Sequence, residues 1–195
     1  MNSPTLDFNS AEAAAARERL NAGLNLTTLS ALHETPDPLV RHFLDLGLRA
    51  TSANEGTLWL VNDEETRLIP VLNTGPNAAE ILARHQQPLD EGLIGMVFVN
   101  GQSLLENDVH LNENQSKRLD RMLGLRTRSL IAAPYHLFDR RVGVFSFVQL
   151  EDPKQEGGEF GLNPGHLEEA ENLASLIARL MERALLRRAL GWEPV

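Results

Sequence analysis

The sequence contains no cysteine. That absence excludes disulfides, thiolate nucleophiles, cysteine-based zinc sites and attachment of a chromophore through sulfur. Aromatic residues make up only 5% of the 195 residues, so the core must come from Leu, Val, Ile and Ala. Basic side chains are also scarce. There are 18 against 27 acidic ones, and the formal net charge of -9 repels phosphate backbones, so no nucleic-acid partner is expected. No apolar run approaches the ~20 residues that span a bilayer, and residues 1–10 lack a basic n-region and an apolar h-region. The expectation is a cytoplasmic protein without a membrane partner. His-Glu-x-x-His, Gly-x-Ser-x-Gly and a Walker loop are missing as well.

What is present reads as one domain with terminal extensions. Residues 1–9, with Pro4, read as a flexible N-terminus. Residues 10–35 read as a helical extension, with Glu12 three residues after Asn9 as a capping-box partner, an alanine-rich run at 11–16 and an interruption at Gly23. The main domain is predicted over 36–190. Asp37 suits an N-cap and Pro38 a first helical position, opening a helix that ends near Ala50.

Strands are predicted over 57–61 and 67–73, with Pro70 marking an edge or a bulge in the second. An irregular helical middle follows, with helices over 78–84, 93–99 and 115–123 and a short extended piece at Leu104–Leu105. Two further strands, 129–137 and 142–150, flank a connection at 138–141. Asn163 and Pro164 then open a long helix, 164–190. Glu168, Glu169 and Glu171 lie near its start and Arg187 and Arg188 near its end, the arrangement that suits the helix dipole. The order implies an antiparallel sheet with helices on both faces.

Several motifs in this order resemble the GAF family of small-molecule sensor domains, from about 36 to 187. EGTLWLVN (55–62) looks like the first core strand, and DEGLIGMVFV (90–99) resembles the family's Gly-Leu-Ile-Gly helix start. SLLENDV (103–109) looks like the short strand running into its Asp-Val turn. RSLIAAP (128–134) and RVGVFSFV (141–148) look like the paired central strands. The resemblance implies an α/β (α+β), GAF/PAS-like fold. It would have a central antiparallel sheet of about five or six strands, helices on both faces and long N- and C-terminal helices. It also implies a ligand cleft between the irregular middle and one sheet face. The residues expected there are Leu93, Val97, Phe98, Asp108, Met122, Arg128, Ser129, Ile131, Phe145 and Phe147.

Departures from the family narrow the ligand. Bilin-carrying members and those that reduce free methionine sulfoxide need cysteine. The cyclic-nucleotide branch shows an Asn-Lys…Phe-x-x-x-Asp-Glu pattern, where this chain has Gln149-Leu150 and then Phe160 with Pro164-Gly165 behind it. The histidines are compatible with haem, but no residue pattern points to it, so the cofactor stays unknown.

The six histidines, His33, His42, His85, His110, His136 and His166, show no ligand spacing; His110 and His136 are the two that suit a polar pocket. Asp108 is expected to accept backbone N–H bonds and fix a turn. Gly92 and Gly95 suit close packing of a helix start, and Asp90 and Glu91 before them disfavour an anion cradle. Arg126 and Arg128 could clamp an anion or be solvated. Ser129 and His136 have opposite parity on one strand, which argues against a nucleophile–base pair and against an enzyme. The apolar stripe over 173–190 exceeds what one sheet needs, which points to a homodimer through the C-terminal helix, with Ile177 at its seam. Only about five residues follow that helix, so the signal of a stand-alone sensor would pass to a separate signalling protein. The expected function is therefore a regulatory domain that binds an unidentified small molecule. The alternative is a ligand-free dimerisation or docking platform, and a cavity of ~300 Å³ or more separates the two.

Overall fold

The computed structural model describes residues 38–151 and 161–189, together with helical positions 11, 14, 15 and 18. The predicted terminus 1–9 and nearly all of the extension 10–35 lie outside the described residues, as does the loop 152–160.

Pro38 opens α1 (Pro38–Thr51), where its missing N–H costs nothing. Val40, Leu44 and Gly47 recur at helical spacing and are buried, while Arg41, His42 and Arg49 face water. Six strands follow: β1 (Glu55–Val61), β2 (Arg67–Asn73), β3 (Gln87–Pro88), β4 (Leu104–Glu106), β5 (Thr127–Leu137) and β6 (Arg140–Leu150). They form one antiparallel sheet in the order β3-β2-β1-β6-β5-β4. Between them lie α2 (Ala78–Arg84), α3 (Gly92–Asn100), a 3₁₀ turn (Val109–Leu111) and α4 (Arg118–Leu123), and α5 (Pro164–Ala189) ends the fold. Pro70 lies beyond the short pairing of β2 with β3 and opposite the register shift at Leu58/Trp59, where a missing N–H is tolerated.

Side-chain alternation divides the core into two layers. On one face Leu58, Leu60, Ile131, Ala133, Tyr135, Phe145 and Phe147 meet α1 and the Ala170, Leu173, Ala174, Ile177, Ala178, Met181 and Leu185 stripe of α5. On the other, Trp59, Val61, Leu68, Leu130, Ala132 and Val144 meet Leu93 and Val97 of α3 and Val109. The first layer is the larger. Its Phe145 and Phe147 rings stack edge to face at 4.8 Å, and each buried ring contributes about 2–3 kcal/mol of hydrophobic stabilisation.

Three local expectations are corrected. The helix predicted over 115–123 spans only Arg118–Leu123. The connection predicted at 138–141 is a tight turn, because Phe138 and Asp139 both take positive φ (49° and 64°) and the strands continue to it. Neither is glycine or asparagine, so the usual turn signal is missing. The apolar stripe of α5 is largely consumed inside the monomer. Ile177 is fully buried, and of the large apolar residues on α1 and α5 only Leu39, Leu46 and Leu176 stand exposed. At the start of α5 Asn163 caps as expected: its side chain accepts from the His166 N–H, and His166 Nδ1 accepts from the Asn163 N–H.

Gly143 allows a three-strand crossing. Tyr135 of β5 passes over it so that its hydroxyl donates to the Trp59 carbonyl of β1 at 2.9 Å. A Cβ at position 143 would lie 1.9 Å from that carbonyl and 2.5 Å from the tyrosine oxygen. The buried phenol is held well above its usual pKa by desolvation, so it acts only as a neutral donor.

Candidate functional site

The smaller layer is where the sheet becomes polar. By strand parity Glu55 and Thr57 share the Trp59 side of β1. Asn73 Nδ2 donates to Thr57 Oγ1 at 2.8 Å and to Glu55 Oε1 at 3.2 Å, while Asn73 Oδ1 accepts from the Gly75 N–H. Glu55 is 4% exposed and its second oxygen has no partner, so burial raises its pKa. Trp59 Nε1 donates to Ser146 Oγ at 2.9 Å, and its ring meets the His85 imidazole edge to face at 5.8 Å. Burial lowers the His85 pKa, with a hydrogen bond to Gln87 acting the other way, so the imidazole is neutral at physiological pH.

A cavity of about 70 Å³ lies against Trp59 and His85. The sheet contributes Trp59, Thr127, Leu130 and Val148; the turn after α2 and strand β3 contribute His85 and Gln87. The start of α3 contributes Gly92, Leu93 and Ile94, and the covering segment contributes Val109, Gln115, Ser116, Leu119 and Asp120. Gly92 takes φ +73°, and a Cβ there would press on Ser116 Cβ at 2.9 Å; Gly95 sits equally close to the Leu89 carbonyl. The glycines thus serve packing of the helix start, and Gln87 Nε2 braces the same turn by donating to the Glu91 and Pro88 carbonyls.

The cover is held mainly by one carboxylate. Asp120 accepts from Gln115 Nε2, the Thr127 N–H and Thr127 Oγ1, at 2.7–3.0 Å. The Arg118–Glu91 ion pair across the rim is well exposed and adds little. No residue of α4 is buried, so this segment belongs to the part of the fold that opens most readily. Gln115 lines the cavity and also two open surface grooves of about 480 and 660 Å³, so the segment is the wall between interior and solvent. At its upstream end, Asn107 exchanges two hydrogen bonds with Leu162, just before α5, at 2.7 and 2.9 Å.

Of the residues expected in the cleft, Leu93 lines this cavity. Val97 is buried in the same layer and Phe98 packs partly against it, its ring under the Arg141 guanidinium. Ile131, Phe145 and Phe147 point to the opposite face, into the layer under α1 and α5. Motif matching fixes strand positions, not which face each side chain takes; parity decides that. Ser129 is buried with its hydroxyl 3.4 Å from the Asn107 carbonyl, Arg128 is half-buried, and Met122 is exposed; none of the three lines the cavity. Asp108 is exposed and does not fix the turn. Glu106 does so instead, accepting from the Asp108 N–H and from Asn112 Nδ2, bonds that lower its pKa. Arg126 pairs with Glu151 at 3.0 Å. His136 is exposed, and His110 lies in the 480 Å³ groove.

The residues that sequence reasoning passed over are Trp59, His85, Gln87, Gln115, Ser116 and Asp120. They come from separated segments with no shared spacing, and only the fold brings them together. His85 and Gln87 just ahead of the Gly-Leu-Ile-Gly motif were the available hint.

The family model for the GAF domain matches residues 33–182. The chain belongs to the GAF family. No curated protein matches the sequence. Among solved structures it is similar to the GAF domain of a phosphoenolpyruvate-protein phosphotransferase from Coxiella burnetii, with TM-score 0.62 and 17% identity over 94% of this chain and 100% of that one. It is also similar to the second GAF domain of DevS from Mycobacterium smegmatis, with TM-score 0.60 and 19% identity over 79% of this chain and 98% of that one. A third match is free methionine-R-sulfoxide reductase from Neisseria meningitidis in complex with its substrate, at TM-score 0.50 and 18% identity over 98% and 99%. At these identities the likeness shows the fold alone. GAF domains are typically small-molecule sensor or regulatory domains of signalling proteins, usually non-catalytic, although the reductase is an enzyme. Among the described residues no helix is long and apolar enough to cross a membrane, and no cluster of metal-ligating side chains occurs.

Proposed function

We propose that this GAF domain is a sensor whose ligand occupies the cavity under the 115–120 segment. The observation that carries the reading is the pair of buried, unpartnered polar atoms there, Gln115 Oε1 and Ser116 Oγ. A buried polar atom without a partner is costly, and a bound molecule or ordered water removes the cost. A ligand that pushes on Val109, Gln115 or Ser116 would move the 106–112 region, and the Asn107–Leu162 amide pair would carry that displacement to the start of α5. The terminal helices, paired in a homodimer over Leu39, Leu46 and Leu176, would then present the change to a separate signalling protein.

Hydrogen exchange tests this by comparing protein as purified with protein unfolded, dialysed and refolded. Loss of protection over 109–123 after stripping is expected; identical protection would remove the ligand. The volume favours a second reading. At about 70 Å³ the cavity is well below the ~300 Å³ of an ordinary ligand pocket, which suits a docking or dimerisation platform whose cleft is filled by its own side chains.

A further inference from the structure

We infer that the cavity seats an uncharged, N–H-bearing amide-type group about the size of acetamide or urea. The inference rests on the sensor reading of the same cavity and adds the class of its ligand. The orientation of Gln115 is fixed by chemistry: the Asp120 carboxylate can only accept, so the amide nitrogen faces it at 2.9 Å and Oε1 is the atom left without a partner. Apart from the Ser116 hydroxyl, the donors around the cavity are already used, the His85 imidazole with Gln87. Gln87 Nε2 serves two carbonyls, Thr127 Oγ1 serves Asp120, and Trp59 Nε1 serves Ser146. What is unmet is one acceptor, Gln115 Oε1, beside one hydroxyl, Ser116 Oγ, that can accept or donate. A molecule answering both brings an N–H to the first and an N–H or a carbonyl oxygen to the second.

Charge and size narrow it further. No lysine or arginine lines the cavity, and its one carboxylate, Asp120, disfavours an anion. The volume of about 70 Å³ matches the room of roughly two water molecules in the liquid, enough for about four heavy atoms. The edge-to-face Trp59 and His85 rings supply flat walls suited to a planar group.

The test follows the Trp59 indole N–H in ¹⁵N-correlated NMR spectra of the whole chain, with acetamide, acetone and acetate each titrated into the high-millimolar range. Acetamide is expected to shift the signal saturably and acetone, which has the same number of heavy atoms but no N–H, to bind at least about tenfold more weakly, because it leaves Gln115 Oε1 unpaired. Acetate is expected to produce no saturable shift. Ser116→Ala should weaken acetamide about tenfold, and Gln115→Met should do the same in a protein whose dispersed spectrum shows it folded. Acetate or acetone binding as tightly as acetamide would overturn the ligand class while leaving the cavity a binding site. Silence from all three probes would mean that the cavity holds water only, and both the inference and the sensor reading of this cavity would fall.

Discussion

Replacing Gly143 with alanine tests how the sheet is locked. The new Cβ would sit 1.9 Å from the Trp59 carbonyl oxygen, 2.5 Å from the Tyr135 hydroxyl and 2.6 Å from the tyrosine ring, where ordinary contacts are 3.4 Å or more. The carbonyl belongs to β1, which pairs with β6 at Gly143 itself and at Val144, so it cannot retreat without opening the sheet. The ring must leave instead. Stranding a buried hydroxyl costs about 1–3 kcal/mol, and forcing one extra carbon into a packed layer costs about 1–3 kcal/mol more. The expected loss for Gly143→Ala is therefore about 2–6 kcal/mol, against about 1 kcal/mol for Tyr135→Phe, which removes only the hydrogen bond. Urea unfolding followed by tryptophan fluorescence gives both values. The double variant should lose less than the sum of the two singles by at least about 0.5 kcal/mol, since the residues act on one contact. A Gly143→Ala protein within about 1 kcal/mol of the parent, or strict additivity, would refute the crossing as a constraint.

Gly92→Ala should lower stability by about 1–2 kcal/mol, because alanine resists φ +73° and its methyl would displace Ser116; an unchanged urea midpoint would contradict this. Glu55→Gln should raise the melting temperature at neutral pH. The folded-state pKa of Glu55 is raised above its unfolded value, so its favourable contribution is fully present below the unfolded pKa and is lost as pH rises through the folded one. The advantage of the glutamine should therefore vanish as the pH falls towards 4.5, and a gap independent of pH would refute the assignment. Asn107→Ala removes both bonds to Leu162. It should raise hydrogen exchange at the first turn of α5 without changing exchange at β1; equal protection there would break the proposed link from cover to helix.

The architecture was legible because its signals are local. Pro38 and Pro164 open helices where a missing N–H is harmless, and alternating Leu, Val and Phe mark the strands. The heptad-like stripe of α5 was read correctly as a helix and too generously as an interface, since Leu173, Ala174, Ile177 and Met181 are absorbed by the larger core layer. The site was far less legible. Phe145 and Phe147 sit in motifs typical of the family yet face away from the cavity, because one residue of register exchanges the two faces of a strand. Trp59, His85, Gln115 and Ser116 meet only after the sheet, α3 and the 115–120 segment have closed on one another. Asp108 drew attention as an acid in a turn, while Glu106, two residues earlier, makes the bonds.

The central claim, that the cavity beside Leu93 receives a small molecule, is tested most directly by native mass spectrometry of freshly purified protein against its denatured mass. The comparison should be repeated for a Leu93→Trp variant, whose larger side chain would fill the space. The account predicts a non-covalent mass increment in the parent that is absent from the folded variant. A parent without added mass, or an increment that survives Leu93→Trp, would contradict it.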